Sequence, residues 1–543
     1  MQMKLNKIML VLLLNATHLL AQDIGTTEVK VAEEFKPTVP QATRLNEKAT
    51  FSDTLKKDRS QEYTVIAADL KSDYKTKPLK AAKVKQDKIP QLYGTKVSVG
   101  FGNTFTTKSS VVHNSMRSKT LSYGMLLNHF SNKYYIDSDI AKSSKNTIRL
   151  YAKKISPTHI FIGNLDYDRR TALYWSKDPP LLDDENFRNR FAYTKFSLSA
   201  ISQELSADKL KYHTAFFISD LNELSENQIH LSANLSKTIN GFPFALEIEL
   251  NDYLNYNNKD TRFETPPVQS VRFSPSTSLR KYGIDFDLGL ELHYLSDDTP
   301  FEVFPQIKVT KELVKDVLLI YGGLRHSNQR HTLKSLSDEN PYIHSYATNQ
   351  TILSGNSILQ NLKTTDTDEL YMAMRNVLGG NEVFEGSVAY GSSENFAHFV
   401  GVDTFSYNRF LVNYIDVKQL HINANYDRKI NNIMSVNVNT DFYKWDENVY
   451  HKPNFTCELS APINLRNKIK VKPTLSYVGK RSYDVSNNEI SAQFHANLGL
   501  YYNYTQNIGA YLQLNNLTNS KQELWKDYRE VGFNGLFGLH YSF

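Results

Sequence analysis

Carboxylates recur at alternate positions in two stretches of the sequence. FPFALEIEL places Glu247 and Glu249 between apolar residues, and IDFDLGLEL does the same with Asp285, Asp287 and Glu291. Successive side chains of a β-strand point to opposite faces, so each set would share one face of a strand. A charged face lining a pore sets its preference for ions and solutes. The same residues can instead form ion pairs between neighbouring strands, and the sequence leaves both interpretations open.

Basic residues show this spacing in IKVKPTLSYV, where Lys470 and Lys472 alternate with apolar residues. By parity these two lysines, together with Lys195, are the expected basic counterparts of the five carboxylates. The candidate lumen-facing residues are therefore Glu247, Glu249, Asp285, Asp287, Glu291, Lys470 and Lys472.

The sequence contains few indications of catalysis. The sequence has no Gly-x-Ser-x-Gly elbow, no phosphate-binding glycine loop and no paired-cysteine metal site. His326 and His331 are five residues apart in a predicted loop, which is not a spacing that brings two ligands together. Carboxylates could hold calcium, but solvated loops are the better interpretation of the acidic clusters Asp183, Asp184, Glu185, Asp297 and Asp298. We therefore predict no enzyme activity, no cofactor and no metal.

Composition excludes two further classes of protein. A single cysteine, Cys457, cannot staple a disulfide scaffold. The formal net charge of +6 over 543 residues is too small to indicate nucleic-acid binding. The mean hydropathy of -0.46 resembles that of a soluble protein, yet a barrel with a polar lumen gives the same value because half of each strand faces water.

The N-terminal region divides into two segments. Lys4 and Lys7 precede the apolar run 8–14, and Ala21 supplies a small residue for cleavage, so residues 1–21 are predicted to be a signal peptide. Residues 22–93 are polar and contain a lysine-rich stretch. We expect this segment to be a largely irregular, solvated periplasmic element, or one that docks in a lumen or on an acidic partner.

From Gly94 to Phe543 the hydrophobic period is two. KYGIDFDLGLELHYL and AQFHANLGLYYNY each alternate over a span of roughly 10 residues, the length that a tilted strand needs to cross hydrocarbon. A soluble sandwich or propeller would use shorter strands. Backbone groups in lipid must all be paired, which only a closed barrel achieves with strands. Residues 94–543 are thus predicted to form an all-β, transmembrane antiparallel barrel of roughly 16–22 strands.

The chain ends in GFNGLFGLHYSF, which continues the alternation to the last residue. We expect this last strand to close the barrel against the first, near Gly94 to Thr106. A C-terminal barrel signature is assigned to Phe533, Phe537, Leu539, Tyr541 and Phe543.

The longer run AYLQLNNLTNSKQELWKDYREVGFNGLFGLHYSF resembles the end of TonB-dependent receptor barrels, particularly those of the Bacteroidota. LKSLSDENPYI and the N-terminal VKVAEEFKPTVPQATRL are similar to segments of plugless relatives of these receptors. The resemblance implies the outer membrane as location and lipid as surroundings. It also implies recognition by the barrel assembly machinery during biogenesis. The lysine-rich segment and the loops would be the binding sites for a periplasmic or outer-membrane protein partner. The motif residues at the end of the chain are Asn515, Asn516, Leu517, Asn519, Lys521, Trp525, Tyr528, Gly532, Phe533 and Phe543.

A full receptor carries a folded plug domain and an energy-coupling box, whereas residues 22–93 are too few for such a plug and contain no convincing box. The sequence therefore predicts a porin-like or receptor-derived channel that transports small polar solutes across the outer membrane. The alternative is a non-conducting outer-membrane scaffold that binds periplasmic or surface partners.

Overall fold

The computed structural model describes residues 92–136, 139–173, 188–222, 226–255, 267–297, 301–343, 362–401 and 410–543. The predicted signal peptide and the lysine-rich stretch lie outside these ranges. Within them the chain forms 27 strands and one short helix, α1, at Leu333–Glu339. No helix of the described residues is long and apolar enough to cross a membrane.

The first seventeen strands are β1 Thr95–Gly102, β2 Thr107–Asn114, β3 Leu121–Ile136, β4 Asp139–Ile155, β5 His159–Leu173, β6 Arg188–Ser202, β7 Lys211–Asn222, β8 Glu226–Ile239, β9 Phe242–Asn255, β10 Val268–Lys281, β11 Ile284–Leu295, β12 Glu302–Val314, β13 Leu318–Arg330, β14 Thr364–Leu378, β15 Glu382–Gly401, β16 Phe410–Lys429 and β17 Ser435–Trp445. The remaining ten are β18 Phe455–Ser460, β19 Ile463–Leu465, β20 Ile469–Val478, β21 Arg481–Ser482, β22 Glu489–Ile490, β23 Gln493–Asn503, β24 Ile508–Asn515, β25 Glu523–Trp525, β26 Tyr528–Arg529 and β27 Asn534–Ser542.

The strands form one closed antiparallel barrel with 22 wall strands in the described part of the chain. β18 and β19 together make one wall strand, since both pair with β20. The pairs β21–β22 and β25–β26 are small hairpins outside the wall. β27 pairs with β1, with Leu539 opposite Val99. The predicted all-β barrel, its strand number and its closure by the last strand are confirmed.

The two faces of the wall differ in chemistry. On β11, Leu290 and Tyr294 are exposed on the outside, whereas Glu291 and His293 face inward and are buried. At the C-terminus Phe537, Leu539 and Tyr541 are likewise exposed on the outer face of β27, with Phe533 just before that strand and Phe543 just after it. A continuous apolar outer band of this size requires lipid to cover it.

The two ends of the barrel differ in the length of their connections. At one end, which also holds Thr95 and Phe543, the strands are joined mainly by tight turns such as Asn240–Gly241, whose φ values of 52° and 85° suit a two-residue hairpin. This is termed the turn end. The opposite end, termed the loop end, carries the long connections, including α1 and both small hairpins. In outer-membrane barrels short turns are periplasmic and long loops are extracellular.

Wall height is uneven. β3 to β16 have 12 to 20 residues each, and the longest, β15 and β16, have 20. β1 and β2 have 8 residues each, and β24 also has 8. The barrel therefore has a tall arc, β3–β16, and a low arc, which runs from β17 through β27 to β2.

Candidate functional site

A hydrophobic core bridges the lumen at the loop end of the barrel. Its buried members come from three separated arcs of the wall and from the loop that carries α1. In the sheet order β6–β7, β15–β16 and the hairpin between β24 and β27 are far apart, so their contact bridges the lumen. This mouth core consists of Phe191, Leu221, Leu333, Leu336, Ile343, Ala397, Phe399, Phe410, Val412 and Tyr528.

Helix α1 is positioned by its N-terminal caps. Thr332 and Ser335 form a capping box, each side chain accepting from the other residue's backbone N–H. The carboxylate of Glu226, at the start of β8, accepts hydrogen bonds from the N–H groups of Leu333 at 2.6 Å and Lys334 at 3.1 Å. Glu226 is buried. These bonds fasten the first turn of α1 to the wall.

The rest of the segment 331–343 is tied to other walls. Nδ2 of Asn189 on β6 donates to the carbonyl oxygens of Pro341 and Ile343, both at 2.8 Å. Nη2 of Arg170 on β5 lies 3.3 Å from Oδ1 of Asp338. Further contacts are an ion pair between Lys452 and Glu339 and the stacking of Tyr342 on Tyr528, with ring centroids 3.6 Å apart.

The β25–β26 hairpin approaches the mouth core from the low arc. The guanidinium of Arg481 donates to the carbonyl oxygens of Leu524 at 2.7 Å and Glu523 at 3.1 Å. Trp525 packs edge-on against Phe399, with ring centroids 5.2 Å apart. Two loops therefore meet in one apolar core at the mouth.

Burial shifts the pKa values of several titratable groups at the mouth. Glu530 has Nε2 of His495 at 2.7 Å from its Oε1, and burial raises the pKa of Glu530 to about 7 although Arg481 opposes the shift. Burial lowers the pKa of His331 and of His451 to about 4, so both imidazoles are neutral at pH 7. Neither histidine therefore places a positive charge beside the mouth core.

On the lumen wall, Glu247 and Glu249 share one basic partner. Nη2 of Arg272, on the neighbouring β10, lies 3.3 Å from Oε1 of Glu247 and is also paired with Glu249. Oε1 of Glu249 accepts a hydrogen bond from Asn251 at 2.9 Å. Sequence reasoning missed Arg272, although its position between Val271 and Phe273, both exposed on the outer face, carries the same alternation.

The three carboxylates of β11 have separate partners. Nε of Arg280 lies 3.5 Å from Oδ1 of Asp285, and Nζ of Lys308 lies 4.0 Å from Oδ2 of Asp287. Glu291 is buried and accepts a hydrogen bond from Gln306 at 2.7 Å. The neighbouring basic residues of this acidic set are therefore on β10 and β12.

The lysines chosen by parity lie elsewhere. Lys470 and Lys472 are on β20, which pairs with β18, β19 and β23 and is not adjacent to β9–β12. Lys195 is opposite Asp166 of β5 in the ladder, and its Nζ lies 3.9 Å from the centroid of Phe217. The structure does not bring these lysines together with the five carboxylates.

The wall has an inward fold between β12 and β13. Their ladder ends at Ile307 and Leu324, although both strands continue toward the loop end. Beyond that point His326 stacks on Phe304, and Nδ2 of Asn328 lies 3.1 Å from Nδ1 of His293. Because Phe304 and His293 face the lumen, the upper part of β13 lies inside β11 and β12.

The residues considered for metal binding have structural partners. His326 lies in β13 rather than in a loop, and its Nδ1 is 2.7 Å from Oδ1 of Asp368. Nε2 of His331 is 2.6 Å from Oγ1 of Thr365, and Oδ2 of Asp297 is 2.6 Å from Nη1 of Arg330. Asp183, Asp184, Glu185 and Asp298 lie outside the described ranges. Among the described residues no group of three potential metal ligands converges.

Comparison with known proteins identifies the fold. No family model and no curated protein matches this chain. Among solved structures, the FrpB iron transporter from Neisseria meningitidis is 10% identical with a TM-score of 0.63, covering 84% of this chain and 82% of that chain. The ferric enterobactin receptor from Pseudomonas aeruginosa is 10% identical with a TM-score of 0.58, covering 83% and 80%. The ferric-catecholate import receptor Fiu from E. coli K12 is 10% identical with a TM-score of 0.56, covering 83% and 82%.

These similar structures are receptors and transporters, not enzymes. At this level of identity the comparison establishes the architecture of the barrel alone.

Proposed function

Because the chain has the fold of outer-membrane TonB-dependent receptors, we propose that it transports small polar solutes across the outer membrane through its lumen. The mouth core is the gate in this proposal. The observation that carries it is the combination of a closed wall with a charged inner face and an apolar closure at one end only of the described barrel.

The inner wall suits polar solutes. Arg272 lies between Glu247 and Glu249, and Asp287 is paired with Lys308, so both signs of charge are present along neighbouring strands. A barrel of 22 strands is too wide for its own wall side chains to fill. Solutes with hydrogen-bonding groups can exchange water for these side chains along the wall, and the paired charges would keep ion selectivity moderate.

The mouth core must separate for passage. Leu336 and Phe399 are each only 1% exposed, so this part of the core excludes water. The segment 331–343 is the movable element in this proposal, because its attachments to β5, β6 and β8 are hydrogen bonds and ion pairs. Its pairing with β16 is limited to an isolated bridge between Ile343 and Phe410.

Single-channel conductance in planar bilayers tests the proposal. The full mature chain is compared with a variant in which residues 331–343 are replaced by a Gly-Ser linker of equal length. We expect rare, brief steps from the mature chain and long-lived steps from the variant. A third protein lacking residues 23–88 tests whether the lysine-rich segment adds to the closure. Replacement of residues 484–488, in an exposed loop of the low arc, is the matched control and should leave conductance unchanged.

A non-conducting scaffold is the second candidate. The attachments of the segment 331–343 to several walls favour it, since they suit a permanently closed mouth that presents a fixed surface. Absence of conductance steps in all four proteins, together with a partner that co-purifies in stoichiometric amounts, would replace the transport proposal with this one.

A further inference from the structure

A small cavity lies between α1 and the inner wall of the barrel. It is lined by Asp168 and Arg170 of β5, by Lys334 and Asp338 of α1, and by aromatic side chains of β6. The two β5 residues face the lumen, because their parity is opposite to that of Leu165, which is exposed in the outer band. The cavity therefore joins the lumen wall to the segment 331–343.

Asp338 places a carboxylate on the basic side of this cavity. Its Oδ1 lies 3.3 Å from Nη2 of Arg170, and Nη1 of Arg170 donates to the backbone oxygen of Asp338, also at 3.3 Å. Its Oδ2 is paired with Nζ of Lys334. The side chain of Asp338 is 45% exposed and that of Arg170 is 26% exposed, so a solute in water can reach this ion pair.

Asp338 can leave Arg170 and still keep a basic partner. Lys334 lies four residues earlier on α1, and an ion pair with this spacing forms within the helix itself. An incoming carboxylate would take Arg170, whose planar guanidinium binds carboxylates through two N–H groups. Both carboxylates would then have a cation. Because exposed ion pairs are weak, the internal pair does not prevent this exchange.

Asp168 offers a second contact to the same solute. Its Oδ1 is buried and accepts no hydrogen bond from the described residues, whereas its Oδ2 lies 3.6 Å from Nζ of Lys145. A buried acceptor without a partner favours a ligand that brings a donor. Since Lys145 already supplies positive charge, a neutral hydroxyl group suits this position better than an ammonium group. Asp168 and Arg170 are about 7 Å apart along the strand, a distance that a solute of five or six carbons spans.

We propose that Arg170 and Asp168 form a binding site for a small hydroxycarboxylate, and that Asp338 occupies Arg170 when no solute is bound. The carboxylate of the solute replaces Asp338 on Arg170, and one of its hydroxyl groups donates to Asp168. Binding releases α1 from β5 and leaves its attachment to Glu226 of β8 in place. The inference rests on the proposed function and names the class of solute for it.

Isothermal titration calorimetry of the full mature protein in neutral detergent tests the site, with millimolar sodium gluconate as the probe. Gluconamide has the hydroxyl groups without the charge, and propionate has the charge without the hydroxyl groups. Both should bind at least about 5-fold more weakly than gluconate, and equal binding of either would overturn the assignment. Arg170→Gln should weaken gluconate binding about 10-fold or more. Asp338→Asn should strengthen it about 3- to 10-fold, since it removes the internal competitor.

Glu339→Gln is the matched control for Asp338→Asn. It removes an equal charge from the next residue of α1, but the partner of Glu339 is Lys452 rather than Arg170. Gluconate binding should therefore be unchanged. Equal strengthening in both variants would overturn the proposal, because a general loosening of α1 or a change of net charge would then explain it.

Heat-modified mobility on SDS gels shows whether each variant is folded. If Arg170→Gln fails to fold, Arg170→Lys replaces it. That variant keeps the charge but loses the paired N–H groups, so it should also bind gluconate more weakly.

Amide hydrogen exchange tests the displacement of Asp338. Gluconate should accelerate exchange of residues 333–339 in the unmodified protein and should have no effect on them in Arg170→Gln. Slower exchange on addition of gluconate would overturn the displacement. Absence of gluconate binding together with conductance by the linker-replaced form would overturn this inference alone. Gluconate binding without conductance by any form would overturn the transport proposal alone.

Discussion

The ring of Tyr511 on β24 lies over Gly538 on β27, its partner in the ladder. The same side chain reaches β1, where a Cβ atom added to Gly100 would lie 2.6 Å from its hydroxyl oxygen. Gly100 and Gly538 are themselves opposite each other at the closure of the barrel. An aromatic side chain thus covers two cross-strand glycines on the lumen face, a device that pins strand register.

Gly538→Ala should weaken this closure. The added methyl group would overlap the Tyr511 ring, and overpacking of this kind costs about 1–3 kcal/mol. We expect a smaller fraction of the protein to run as the compact, unheated form on SDS gels. Gly535→Ala is the control, because the atom nearest to its new Cβ is at 3.6 Å. Equal folded fractions in the two variants would contradict the role given to Tyr511.

Glu226→Ala should release the first turn of α1. The substitution leaves the N–H groups of Leu333 and Lys334 without their carboxylate partner, at a cost of about 1.5–3 kcal/mol for each charge-assisted bond. Amide hydrogen exchange of residues 331–343 should accelerate roughly 10-fold or more, while exchange in β8 changes little. Glu204→Ala, in an exposed turn at the turn end, is the matched control. Unchanged exchange in 331–343 would show that α1 is held by its other contacts.

The loop 516–533 should be held more firmly at pH 5 than at pH 8. The pKa of Glu530 in the folded protein, about 7, exceeds the ordinary value of 4.5. The folded state therefore favours the protonated form, and stability falls as pH rises between these two values. The expected loss from pH 5 to pH 8 is about 2 kcal/mol. The groups that face this carboxyl group are Arg481, His495 and Tyr134.

Hydrogen exchange of residues 516–533 at several pH values, corrected for intrinsic rates, measures this effect. Glu530→Gln should flatten the pH dependence and protect the loop at pH 8. If the variant keeps the full dependence, the titrating group is His495 or another neighbour rather than Glu530.

Arg272→Gln should make the lumen more cation-selective. Removal of the guanidinium leaves Glu247 and Glu249 without their shared basic partner, so negative charge on the wall is no longer compensated. In the background with residues 331–343 replaced, the reversal potential in a KCl gradient should shift toward that of potassium. Lys237→Gln removes a cation from the outer face and should not shift it. A shift of the same size in both variants would mean that surface charge, not the lumen wall, sets selectivity.

The period of two predicts which face each strand residue takes, because side-chain alternation is a local property. Leu290 outside and Glu291 inside on β11 follow from the sequence alone. Parity does not give the position of a strand around the barrel. Lys470 and Lys472 lie on β20, away from β9–β12, whereas Arg272 is one strand from Glu249.

The mouth core could not be predicted in this way. Phe191, Phe399 and Tyr528 come together from positions more than 100 residues apart, and the loop residues among them follow no hydrophobic period. The early end of the β12–β13 ladder could not be predicted from the sequence either. Phe304 and His326 meet because the wall curves, and no local sequence pattern indicates this contact.

The uneven height of the wall determines which strands a particle at the cell surface contacts first. Twenty residues of β15 or β16 extend for about 65 Å along the strand, and the eight of β1 or β2 for about 26 Å. Even a tilt near 45° leaves the longest strands well beyond the hydrocarbon. At the level of the wall strands, a bacteriophage or an antibody would therefore touch the tall arc first.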